Sequence, residues 1–140
     1  MDWFSFGDVN WLAVIVATVA QFVVGAVWYH PKVVGRGWMK QVGLSEQDIA
    51  SADGGPGRYV ATGVVAFVTA VVMNVLMWEL GVGSVIGGIV FGLFVGAVFR
   101  LGAHVIHNGF ALRGQSLSVI DGLHDMVALA VVGAVIGAFI

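Results

Sequence analysis

The chain has 140 residues, of which 59% are hydrophobic and 10% charged, with a formal net charge of −2. A soluble domain carries about 25% charged residues, so this chain has too few charges to cover a water-facing surface, and it lacks the basic footprint of a nucleic-acid binder. With no cysteine, disulfides, thiolate nucleophiles and Cys-ligated metal or iron–sulfur sites are excluded.

A bilayer core of about 30 Å takes roughly 20 apolar residues as a helix. The apolar runs are long and lack the two-residue alternation of barrel strands, so the spans are predicted to be helices. The expected fold is all-α: one membrane domain over residues 1–140, a polytopic bundle of four transmembrane helices. A short interfacial and cytoplasmic helical loop joins the first two.

The first span is predicted from about Val9 to Tyr29, with Trp11 and Trp28 where interfacial aromatic belts sit. Thr18, Gln21 and Gly25 share one face of it. The tail before it holds Asp2 and Asp8 and no basic residue. That is unlike the positive start of a cleaved signal peptide, so the span is expected to be retained.

Residues 30–58 form the long connection. His30-Pro31 stops the first helix, because a residue before proline avoids the α region. Val33 to Val42 mixes Val33, Val34, Trp38, Met39 and Val42 with Arg36 and Lys40, the pattern of an interfacial segment. Ser45 followed by Glu46 and Asp48 reads as the cap of a short helix reaching Ala52. Asp53-Gly54-Gly55-Pro56-Gly57 then breaks the chain.

The second span is expected from about Tyr59 to Leu80, with Thr62, Thr69 and Asn74 among its polar positions. Gln21 and Asn74 lie deep enough to need partners, most simply as bonds between helices. The third starts near Val82, is apolar to about Phe99 and extends as helix to Asn108. The fourth runs from about Leu117 to Ile140. Gly88, Gly92 and Gly96 stand at spacing four on the third span, with Gly83 and Gly87 in a second register. Ala130, Gly133, Ala134, Gly137 and Ala138 give the fourth span a similar face. Small residues at this spacing let helix backbones approach closely. They suit either packing within the bundle or a homo-oligomer contact.

Lys32, Arg36, Lys40 and Arg58 lie between the first two spans, Arg113 lies between the last two, and Arg100 is near the same side. The positive-inside rule then puts both termini outside and both basic loops in the cytoplasm.

Several short elements together resemble a known family. They are Asn10-Trp11-Leu12-Ala13, Trp28-Tyr29-His30-Pro31, Gly35 with Trp38-Met39, and Ser45-Glu46-Gln47-Asp48-Ile49, with Asp121 and His124 as a D-x-x-H element. The set resembles the uncharacterised bacterial membrane family catalogued as domain of unknown function 1761. The third span departs from it in its wealth of Gly and Val. The resemblance implies a four-helix inner-membrane protein and no established activity.

Ionisable residues in membrane helices are costly and mark candidate sites. Arg100, His104 and His107 fall on one face of the third span, and Asp121, His124 and Asp125 within one arc of the fourth. The two sets are expected to gather near the cytoplasmic rim. Three readings fit. In the first, Arg100 pairs with Asp121 or Asp125 and the imidazoles hydrogen-bond, a structural lock. In the second, the row handles protons or ions. In the third, His104, His107, His124 and Asp125 hold a metal or haem. No catalytic constellation stands out and no cofactor is called for, so an enzyme is not expected. The leading expectation is a small structural or accessory membrane protein, a homo-oligomer or a subunit of a larger complex in the lipid bilayer. An ion or proton channel or proton-coupled transporter is the alternative.

Overall fold

The computed structural model describes residues 5–52 and 57–140. Asp2 and the break over residues 53–56 lie outside the described residues. Among the described residues there are helices and no strand. Four helical stretches are long and apolar enough to cross a membrane: Trp11–Trp28, Gly57–Glu79, Val85–Phe110 and Gln115–Phe139.

Helix α1 (Trp11–Trp28) starts where the Asn10 side chain accepts a hydrogen bond from the Ala13 N–H, relieving one of the unpaired donors of a helix start. It ends at Tyr29. His30 then caps a single π-helical turn, Pro31–Gly35, by accepting from the Lys32 N–H. Proline fits here, at a first-turn position whose N–H would have no helical partner anyway. The turn leads into α2 (Arg36–Val42), which ends at Gly43 with a left-handed φ of 73°. Helix α3 (Glu46–Ser51) has the capping box expected at Ser45 and Asp48: each side chain bonds the other's backbone N–H, at 3.1 and 2.8 Å.

Helix α4 (Gly57–Glu79) runs to a tight turn at Gly81. Helix α5 (Val85–Val95) begins at Ser84, which caps it. The third span therefore starts three residues later than Val82, because Val82 and Gly83 serve the turn. A π-helical segment (Gly96–Leu101) joins α5 to α6 (Gly102–Phe110) without a break. Helix α7 (Gln115–Phe139) is the hub and packs on α5, α6 and α1 and less extensively on α4.

The glycine faces of the third and fourth spans meet one another. A Cβ on Gly88 would lie 1.9 Å from the Gly133 carbonyl oxygen, and one on Gly133 2.0 Å from that of Gly88. Gly92 faces the Leu129 carbonyl, Gly96 the Met126 Cα, and Gly137 the Ser84 carbonyl in the same way. Of the two open roles for these glycines, the structure uses packing within one chain. Lipid supplies no hydrophobic drive for helix association, so close backbone approach is the principal contribution. Gly83 and Gly87 stand outside this seam, among Ile140, Ser84 and Val82.

The deep polar groups are shared between helices. Gln21 donates to the Ala66 carbonyl at 3.0 Å, and Asn74, only 2% exposed, accepts from the Asn10 N–H at 3.3 Å. Thr18 and Thr62 instead bond back to their own helices, to the Val14 and Arg58 carbonyls. Asn10 also reaches the Phe139 carbonyl, and Gly83 lies by Ile140. The start of α1, the α4–α5 turn and the end of α7 thus share one end of the bundle. The other end carries α2 and the α6–α7 turn, where Gln41 lies beside Gly114.

Candidate functional site

The polar groups gather around Asp125 on α7, whose side chain is 13% exposed. Arg100 Nε donates to its Oδ2 at 2.9 Å, His104 Nε2 meets the same oxygen at 3.2 Å, and His124 Nδ1 meets Oδ1 at 2.9 Å. A carboxylate accepts only, so both rings donate a proton to it through these nitrogens. Of the two carboxylates expected as partner for Arg100, the structure selects Asp125.

Asp121 is engaged from another helix. The Tyr29 hydroxyl donates to Asp121 Oδ1 at 2.8 Å. The Tyr29 ring tilts against His124 at 4.9 Å between centroids and takes Trp38 of α2 edge-on at 5.5 Å. Trp28 also turns inward, edge-on to His124 at 6.2 Å, so of the two tryptophans assigned to the lipid interface this one lies against the polar site. The Trp28-Tyr29-His30-Pro31 element and the Asp121/His124 element are therefore two halves of one site, although 92 residues separate Tyr29 from Asp121.

Gly35 explains how α2 is folded beneath the site. A Cβ there would sit 2.2 Å from the Tyr29 carbonyl oxygen, so only glycine lets the π turn close against the end of α1. Trp38 and Met39 then point inward, Met39 at 9% exposure. Pro31, Gly35 and Trp38 are thus the structural support of Tyr29.

His107 does not join the cluster. It is exposed, and at its level Asn108 faces α7, donating to the Ser118 hydroxyl at 3.1 Å; Ser118 in turn donates to the His104 carbonyl. The positions of the third span that meet α7 step by four, through Gly88, Gly92 and Gly96 and later His104 and Asn108. The π segment between them carries an extra residue per turn and carries this register down the helix. His107 falls one residue short of it.

Among the described residues no group of three or more His, Cys, Asp or Glu side chains is arranged to hold a metal ion. His107 lies outside the cluster, and the ring nitrogens of His104 and His124 that face Asp125 are taken up by its carboxylate.

Among the described residues, Trp28 Nε1 and His124 Nε2 are buried polar atoms of the site with no hydrogen-bond partner. Gly25 leaves room beside the latter, since a Cβ there would lie 3.5 Å from Nε2. With Nδ1 donating to Asp125, neutral His124 presents a lone pair at Nε2. Two hollows lie at the opposite end of the bundle. The larger, about 590 Å³, is an open apolar recess between Gly81 and Phe94.

The family described as protein of unknown function (DUF1761) matches over residues 12–137, nearly the whole chain. No curated protein and no solved structure matches.

Proposed function

We propose that this chain, which belongs to the DUF1761 family, is a small non-enzymatic accessory protein of a bacterial inner membrane. In this reading it acts by associating with a second copy or with another membrane protein. Both termini face outward, and the basic end with α2 faces the cytoplasm.

One observation carries the reading. The first half of α4 stands away from the bundle: residues 57–65 are exposed on every side except at Gly63, which touches Phe22. Helix α4 becomes buried only from Ala66 on, through Ala70, Met73, Asn74 and Met77. A membrane helix gains by close packing, and this half forgoes that gain inside the chain while keeping small residues, Gly57 and Ala61, on its surface. The internal use of the α5 and α7 glycines moves the expected contact away from that seam and onto α4. Mass measurement of the purified protein in lipid discs is the test. A dimer, a higher oligomer or a stable co-purifying membrane protein is expected, and a solitary monomer at all protein-to-lipid ratios overturns the reading.

A second reading, proton exchange at the Asp125 cluster, is favoured by the unpartnered lone pair of His124 Nε2. Proton flux in liposomes that Asp125→Asn abolishes would support it, and wild-type flux no greater than in protein-free liposomes would remove it.

A further inference from the structure

The helical run from Pro31 to Val42 is two-faced. Gly35 and Met39 are buried and Trp38 half-buried against Tyr29, while Lys32, Arg36 and Lys40 are exposed. These three cations recur every four residues, so they form one row, each about 6 Å from the next along the axis. Among the described residues none of them has an ion-pair partner. The acids nearby in sequence are Glu46 and Asp48, and Asp48 is engaged by its capping box.

A second element of the same end repeats the arrangement. The α6–α7 turn presents Phe110 and Leu112, 90% and 93% exposed, beside exposed Arg113. Gln41, next to Lys40, lies against Gly114, next to Arg113, so the two elements adjoin. Apolar tips beside cations, at the end of four membrane-crossing helices, match the boundary between acyl chains and headgroups.

We propose that the Pro31–Val42 segment and the α6–α7 turn form one docking surface for anionic phospholipid headgroups of the adjacent leaflet. Lys32, Arg36, Lys40 and Arg113 meet the phosphates, and Phe110 and Leu112 enter the acyl boundary. Charge complementarity selects the occupant: four exposed cations on one rim suit a surface of fixed negative charge.

The test uses the full chain in phosphatidylcholine vesicles containing phosphatidylglycerol, with each lipid spin-labelled in turn. The fraction immobilised by the protein gives the relative association of the two lipids. Wild type is expected to favour phosphatidylglycerol several-fold, with the preference shrinking as salt rises. Each cation removed is expected to lower it by up to about fivefold, until parity is reached. The triple variant Lys32→Gln, Arg36→Gln, Lys40→Gln should therefore approach parity, while Lys32→Arg with Lys40→Arg should keep the preference. Equal association in wild type, or an undiminished preference in the triple variant, overturns the proposal. So does loss of the preference to millimolar inorganic phosphate at fixed ionic strength, which would assign the surface to free anions.

Discussion

Replacing Gly133 by alanine adds one methyl group at the tightest point of the α5–α7 seam. That carbon would stand 2.0 Å from the Gly88 carbonyl oxygen, with the Gly88 carbon and Cα close behind. An ordinary carbon–oxygen contact needs about 3.3 Å, so the two helices must part by roughly 1 Å. The neighbour is backbone on both sides, and no side chain is free to swing away. Overpacking in a well-fitted core costs about 1–3 kcal/mol; the upper part of that range is expected here, because parting the helices also loosens the contacts at Gly92 and Gly137. Gly37→Ala on α2 is the control, since its added carbon meets nothing within 4 Å and alanine favours helix by up to about 1 kcal/mol. The assay is reversible unfolding in mixed micelles followed by far-ultraviolet circular dichroism. A Gly133→Ala variant as stable as Gly37→Ala would refute the seam.

Three further outcomes follow from the geometry. Asp125→Asn removes the charge that Arg100, His104 and His124 share and should cost about 2 kcal/mol in the same assay, near the usual value for hydrogen bonds to charged groups. Tyr29→Phe deletes only the hydroxyl on Asp121, leaves that carboxylate without its partner from α1 and should cost about 1–2 kcal/mol; no loss would mean that α1 is held without it. The Ser45 hydroxyl, then the Ser45 backbone N–H, hold the Asp48 carboxyl below its ordinary value of 3.8. The cap is therefore complete above that ordinary value, and its contribution is lost as pH falls through the lower folded value. Amide-exchange protection of α3 should weaken only below about pH 4, and protection unchanged to strong acid would contradict the cap.

The four spans and the α3 cap were legible because each depends on residues close in sequence: runs of apolar residues set the first, and the Ser45–Asp48 spacing the second. The helix pairing at Gly88, Gly92 and Gly133 was half legible. Spacing four marked faces able to come close, but not whether each met a face of the same chain. The join between Tyr29 and Asp121 was hidden, since it depends on α1 lying beside α7, and 92 residues separate the two groups. His107 was misplaced because spacing alone admits either the third or the fourth residue after His104 to the contact face, and within α6 it is the fourth, Asn108, that meets α7. The freestanding half of α4 was equally hidden. Lipid-facing and helix-facing positions there are alike apolar, so hydropathy does not separate them.

The association face on α4 can be tested directly because the chain has no cysteine of its own. Single cysteines are placed at Val60 and Val64, both exposed, and at Ala130, which is buried in the α7 seam. Each variant is oxidised in its native membrane and the products are separated by mass. The account predicts disulfide-linked dimers, or a mixed disulfide with one partner protein, from Val60→Cys or Val64→Cys and none from Ala130→Cys. Crosslinking absent from both α4 positions, or strongest from Ala130→Cys, would contradict it.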